Sequence, residues 1–383
     1  MDWSFLIEGK DALNVTTDSR KVTPGCIFVA LKGEHFDGND FVEQAKRDGA
    51  EYIISGENAL AELQDLARAW RRELGLPILG ITGTNGKTTT KELCAAVLST
   101  KYNLFYTQGN LNNQIGVPLT LLSITRAHEM AIVEMGASHP GDIKELVEIA
   151  EPNYGLITNV GHAHLQGFGS FEGVMRTKAE LYDYLREHGG FCFRNTDNPY
   201  LAQMAGDLQT VPYTTGTMPE GTHLVGAYNA ENISAAICVG KYFGIDEKAA
   251  LAAIRAYVPS NNRSQLLQTE KNTVVVDAYN ANPTSMQAAI NSFNGNCYIL
   301  GAMRELGEYS HLEHQNIVNM LLERKADKVL LVGEEYKDTT APYPVFDNVE
   351  KLCEQLQKEP LKGFKILLKG SRSNTLEKVI PLL

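Results

Sequence analysis

The chain lacks close-spaced cysteines. Its six, Cys26, Cys94, Cys192, Cys238, Cys297 and Cys353, lie far apart and mostly within apolar segments. No zinc or redox pair is therefore indicated. It also lacks an apolar run long enough to span a bilayer. The opening MDWSFLIEGKD has no charged-then-apolar leader pattern, so a reducing, cytoplasmic setting without membrane insertion is expected. Positive charge is scarce. Lys and Arg number 35 against 46 Asp and Glu, for a net charge of −11. That balance argues against a general nucleic-acid binder, although local cationic loops can still hold anions. Internal repeats and low-complexity tracts are absent too.

What is present is a chain of 383 residues, 43% of them hydrophobic, enough for two or three domains with real cores. The pattern is α/β, in three segments. Residues 1–76 read as a small α/β unit with strands in CIFVAL and YIIS, a helix over Asp40 to Asp48, and a second helix from about Ala59 to Leu74. From 77 to 258, strands and helices alternate as in a parallel sheet wound with helices. Here MAIVEMG and YGLITNVG are apolar strands that end in polar or Gly residues, and ligands of such sheets gather at strand carboxyl ends. VPSNNR is a turn-rich link. In 259–383, four β-rich runs (NTVVVDAY, NCYILGAM, KVLLVG, KILLKGS) separated by helical stretches predict a further α/β domain.

The stretch ILGITGTNGKTTTKELCAAVL carries the clearest chemistry. A short apolar strand runs into Gly83-Thr84-Asn85-Gly86-Lys87-Thr88-Thr89 and then into a helix. The glycines allow a tight loop whose N–H groups point at an anion. Lys87 adds a mobile charge, and the Thr88 hydroxyl can sit on a metal ion. These are the mechanics of a phosphate loop at a helix N-terminus. The strict pattern G-x-x-x-x-G-K-[ST] would place Gly at position 81, where this chain has Ile81.

Further groups fall at strand ends or loops. Glu134 closes a strand and can hold magnesium near phosphates; a capping or surface role is the plain alternative. His162 and His164 lie two apart in a Gly-rich segment, so one can be a ligand and the other structural. Lys178, expected near the start of a helix, is ordinarily a solvated charge. Asn229 and Asn232, at a helix N-terminus, can cap it or read the edge of a base.

Their order along the chain is the specific feature. A G-T-N-G-K-T loop, a strand-end Glu, N-V-G-x-A-H, K-x-E, and N-A-x-N before a helix together resemble the Mur ligase superfamily, over essentially the whole chain. The resemblance implies three domains: a uridine-nucleotide-binding unit, a central P-loop ATPase-like parallel sheet, and a C-terminal Rossmann-like domain. TTDSRKVTPGCIFVALKGEHFDGNDF resembles the first of these, with Asp18, Ser19 and Arg20 against the nucleotide end, a surface turn being the plain reading. VVVDAYNANPTSMQAAI, ILGAMRELGEYSHLEHQNI and ILLKGSRSNTLEKVI resemble the branch that adds the terminal dipeptide. The D-Y-A-H-x-P and Asn-Pro-Arg segments of the branch that adds the third stem residue are missing.

The resemblance therefore implies ATP-dependent ligation of D-Ala-D-Ala to UDP-N-acetylmuramoyl-tripeptide in peptidoglycan precursor synthesis, by a monomer. Addition of the third stem residue is the alternative, as is a non-catalytic nucleotide-binding relative. It further implies Mg2+ at Thr88, Glu134, His164 and a carbamylated Lys178. ATP would meet Gly83 to Thr89, Asn229, Asn232, Arg263, Asp277 and Tyr279. The dipeptide would meet Asn280, Asn282, Lys369, Ser371 and Arg372. Three departures stand out: Ala302 where the family has Asp, a short stretch over 205–225, and a compressed join at 294–296.

Overall fold

The computed structural model describes residues 2–163 and 165–383. It contains three sheets. In the first, β1 (Val15–Thr16), β2 (Ile27–Val29) and β3 (Tyr52–Ile54) are parallel. The second comprises β4 (Ile78–Thr82), β5 (Leu104–Tyr106), β6 (Met130–Glu134), β7 (Tyr154–Ile157), β8 (Phe191–Asn195) and β9 (Thr210–Tyr213). The third comprises β10 (Gln265–Gln268), β11 (Thr273–Asp277), β12 (Cys297–Gly301), β13 (Lys328–Val332), β14 (Val345–Phe346) and β15 (Lys365–Lys369).

The second sheet is parallel throughout, in the order β5-β6-β4-β7-β8-β9. β4 and β6 are buried along their whole length, as expected of apolar runs covered on both faces. β4 lies between β6 and β7, so the chain leaves it toward one side of the sheet and later returns on the other. The exits of β4, β6 and β7 therefore diverge around one crevice, where open α/β sheets bind ligands. β9 is an edge strand, which is why it tolerates Pro212.

The helix Ala59–Leu74 lies where the sequence predicts it, and its neighbours are informative. Leu63, Leu66, Ala67 and Trp70 repeat at helical spacing and are fully buried. Gly75, at φ +63°, ends the helix. Its apolar face packs into one continuous core with Ile78, Val117, Ile143 and Leu181 of the second sheet's layer. Trp70 Nε1 donates to the Ile124 carbonyl at 2.9 Å, and Arg71 Nη2 donates to the Glu151 carbonyl at 2.9 Å. Burying an aromatic of this size stabilises by roughly 2–3 kcal/mol, and the polar ends are satisfied as well.

The third sheet runs β10-β11-β15-β12-β13-β14, with only β10 antiparallel. It carries a separate apolar cluster on each face, one around Met286, Tyr298 and Leu321, the other around Ile299, Leu352 and Leu368. β10 and β14 are additional to the four runs expected from sequence. The compressed join is a four-residue link, 293–296, between the helix Pro283–Ser292 and β12. Over 214–223 the chain has no strand.

Candidate active site

The phosphate loop leaves β4 at Thr82 and enters the helix Lys87–Leu98. Gly83 (φ +144°) and Gly86 (φ +77°) hold conformations that side-chain-bearing residues rarely adopt. A Cβ at Gly83 would strike the Thr158 hydroxyl, and one at Gly86 would strike the Asn232 carboxamide. Ile81 is a fully buried strand residue, so the loop begins at Gly83 and needs no glycine at 81. The loop rests on the β7 exit. The Thr84 N–H donates to the Asn159 carbonyl (2.9 Å), the Asn85 N–H to Asn159 Oδ1 (3.0 Å), and the Thr158 hydroxyl to the Asn85 carbonyl (2.6 Å). Lys87 Nζ curls back onto the Gly83 and Thr84 carbonyls at 2.8 and 3.2 Å. Burial pushes this ammonium down to about 8; Glu134 opposes the shift and Arg263 adds to it.

Glu134 ends β6 and is 1% exposed. Its Oε1 accepts from the Thr88 hydroxyl (3.1 Å) and Asn112 Nδ2 (2.8 Å). Its Oε2 is buried with no hydrogen-bond partner, the Lys91 ammonium standing 3.7 Å away. A hydroxyl and a carboxylate with a free oxygen, beside an anion-binding loop, are the hard donors that Mg2+ takes. Among the described residues no three His, Cys, Asp or Glu side chains converge as a metal cage. Most ligands would therefore be phosphate oxygens and water. The residues present fit that ion.

Lys178 lies in the middle of the helix Phe171–Glu187, not near its start as the sequence reading had it. The helix begins earlier because Ser170 caps it, accepting from the Gly173 N–H at 3.1 Å. Lys178 is 3% exposed, and its Nζ sits 5.7 Å from the Phe168 ring centre. Burial first, and Lys87 second, push it down to about 7, with Glu180 and Asp142 opposing. His164 is outside the described residues. His162 is exposed, its ring stacked on Phe171 and its N–H donating to Thr284 Oγ1 at 3.1 Å.

A cavity of about 1040 Å3 opens between the second and third sheets. From the third-sheet side Arg263 enters with its guanidinium 3.8 Å from the Tyr279 ring centre, and Arg372 approaches the same ring at 5.2 Å. Lys369, 2% exposed, donates to Asp277 Oδ2 at 2.6 Å and to the Asn280 carbonyl at 3.2 Å. Ser371 Oγ is buried and unpartnered. Asn282 caps the helix Pro283–Ser292 through Oδ1 and reaches Asn85 of the phosphate loop through Nδ2 at 2.8 Å. The cavity thus has cations on both walls and a nucleotide-type loop on one.

Three family profiles match the sequence: Mur ligase middle domain over residues 81–222, Mur ligase glutamate ligase domain over 262–372, and Mur ligase family catalytic domain over 13–93. The Bacillus subtilis UDP-N-acetylmuramoyl-tripeptide–D-alanyl-D-alanine ligase is 35% identical over 96% of this chain and 92% of its own length. The chain belongs to the Mur ligase family. The Escherichia coli ligase of the same name is 33% identical over 96% of the chain and 92% of its own length. Among solved structures, MurF ligase of Thermotoga maritima in complex with ADP superposes with a TM-score of 0.86 at 28% identity, covering 97% of both chains. MurF of Acinetobacter baumannii gives 0.84 at 27%, covering 96% of this chain and 92% of that one. The Bacillus alignment runs over 424 positions, more than this Mur ligase has residues, so that relative carries internal residues lacking here.

Most of the residues singled out in this Mur ligase meet at the one cavity: Thr84 to Thr89, Glu134, Asn229, Asn232, Arg263, Asp277, Tyr279, Asn280, Asn282, Lys369, Ser371 and Arg372. Gly83 and Lys178 are not part of its lining. Asp18, Ser19 and Arg20 are not part of the lining. There Asp18 binds the Arg20 Nε and Nη2 at 2.8 Å each, which holds its carboxyl down to about 2. Asn229 and Asn232 are buried and already bonded. Asn229 Nδ2 donates to the Val225 carbonyl, Asn232 Nδ2 to Asn229 Oδ1, and the Thr90 hydroxyl to Asn232 Oδ1. Neither caps the helix. Sequence reasoning missed Asn112, Lys91, Thr158 and Asn159. The polar run NLNNQ after β5 and the TN after β7 carried the strand-end signal that would have found three of them.

Proposed function

We propose that this Mur ligase joins D-Ala-D-Ala to UDP-N-acetylmuramoyl-tripeptide at the expense of ATP, in peptidoglycan precursor synthesis. The single observation that carries the reading is the cavity itself. It faces a phosphate loop and a buried carboxylate on one wall toward Arg263, Lys369 and Arg372 on the other. A carboxylate is a poor electrophile. Transfer of the γ-phosphoryl group to the precursor carboxylate gives an acyl phosphate. The dipeptide amine attacks its carbonyl carbon, and phosphate departs.

In this reading Lys87 and the loop N–H groups neutralise the β/γ-phosphates. Thr88 and Glu134 would hold Mg2+, which would supply further charge neutralisation there. Arg263, backed by Tyr279, meets the phosphates from the opposite wall. Arg372 is free to pair with the dipeptide carboxylate through two parallel hydrogen bonds, while Lys369 fixes Asp277 and the Asn280 carbonyl. Asn282 acts as a tie between walls. Lys178 would carry a carbamate: with its pKa lowered to about 7, about half of it is the free amine near pH 7, the form that adds CO2 and loses a proton to give an anion. His164 supplies a further ligand. Asp18, Ser19 and Arg20 take the uridine-nucleotide end, and Asn229 with Asn232 lie beside the adenine. The domains divide at 76/77 and 258/259. The enzyme works as a cytoplasmic monomer; among the described residues no helix is long and apolar enough to cross a membrane.

The test is phosphate release by the purified chain with Mg2+ and ATP. Release that requires both the tripeptide precursor and D-Ala-D-Ala supports the reading. Release with dipeptide precursor and a diamino acid instead assigns the other branch, and no release under either condition defeats both.

A further inference from the structure

The segment 257–264 joins the helix Glu247–Ala256 to β10 and carries Arg263. Its fixed point is Glu92, on the same helix as Lys87 and Thr88. The Glu92 carboxylate accepts from the Tyr257 hydroxyl and, on both oxygens, from Asn261 Nδ2 at 3.0 and 3.1 Å. The far end of the segment is held separately. The Ser264 N–H donates to Asp277 Oδ1 at 3.3 Å, and Ser264 Oγ bonds the Tyr228 hydroxyl at 2.7 Å.

Between these anchors the backbone is strained. Asn262 (φ +56°) and Ser264 (φ +49°) flank Arg263 and are both left-handed. Asn tolerates that region; Ser does so less readily. Such conformations persist where the surroundings over-determine them. What they achieve here is visible: Arg263 is turned into the cavity against Tyr279, with a buried Nε that has no partner. A guanidinium presented in this way awaits an anion.

We propose that Glu92 is a positioning residue for the ligation. It ties the interdomain segment to the phosphate-loop helix and so sets the distance between Arg263 and the nucleotide phosphates. The inference rests on the ATP reading above. A carboxylate suits the task because it accepts several donors at once. Its place on the loop's own helix means that Arg263 is referenced to the phosphates as well as to Tyr279.

The test compares E92A, E92Q, Y257F, R263A and E92A/R263A by steady-state phosphate release and by ADP binding. Glu92→Ala should raise KM for ATP and weaken ADP binding by about tenfold, with KM for D-Ala-D-Ala within twofold. Glu92→Gln and Tyr257→Phe should each give a smaller rise of about threefold and melt like the native protein. In the Arg263→Ala background, Glu92→Ala should add less than about twofold, because its effect runs through that arginine. ATP parameters unchanged in E92A, or in E92Q and Y257F should E92A fail to fold, overturn the inference. So does full additivity with R263A. If R263A alone leaves ATP binding unchanged, the phosphate role of Arg263 fails first.

Discussion

Lys178 is a buried ammonium whose charge the surroundings resist. Its pKa is lowered from 10.5 to about 7, mainly by burial. Between those values the unfolded chain binds more protons than the folded one, so folding stability rises with pH across that window and the full penalty applies below it. Lys178→Met should therefore raise the melting temperature of CO2-free protein at pH 6.5, by the equivalent of about 3–5 kcal/mol. The gain over the native protein should shrink steadily toward pH 9.5. The same substitution should abolish ligation. Lys178→Ala should abolish it as well, with formate or acetate restoring part of the phosphate release. Lys87→Ala should be equally inactive and unresponsive to small acids, since what it loses is a cation. A fully active Lys178→Ala would remove the carbamate from the reading.

At the scale of elements, the loop-and-helix unit was readable because its determinants are local. An apolar strand, two glycines at fixed places and a run of helix formers lie within twenty residues. Gly83→Ala meets both the Thr158 hydroxyl and a forbidden φ. It should weaken ADP binding at least about tenfold and lower stability by roughly 2 kcal/mol, measured by calorimetry and thermal melting. What sequence could not give was tertiary. Thr90 and Asn232 are 142 residues apart, and nothing local announces their bond. Asn232→Ala leaves a buried hydroxyl and a carboxamide oxygen unpaired, at a cost of about 2–3 kcal/mol. A normal melting temperature with impaired ATP binding alone would instead mark Asn232 as a pure base reader. The edge strands β10 and β14 were missed because β10 alternates half-buried and exposed residues and β14 has two residues. Lys178 was placed too early because its cap, Ser170, follows a Gly-rich run that reads as loop.

For the whole molecule, three α/β segments in order were legible from periodicity, yet their attachment was not. Hydrophobic spacing reports that a face is buried, not against what. The helix 59–74 shares one apolar cluster with Ile27, Val29 and Ile54 of the first unit and with Ile78, Val117 and Leu181 around the second sheet. The third sheet has its own cluster on each face. A fragment of residues 259–383 should therefore melt cooperatively by itself. One of residues 77–258 should aggregate, having lost the cover supplied by Leu63, Leu66 and Trp70. Circular dichroism and light scattering on the two fragments check both outcomes.

The bonds Asn85–Asn282 and His162–Thr284 are two of the stitches across the crevice between the walls. A blocker aimed at the helix Ala59–Leu74 would have to prise open a shared apolar interior. One aimed at the stitched crevice need only undo a few polar contacts. It would prop the jaws apart and leave both reactants bound but out of reach of each other.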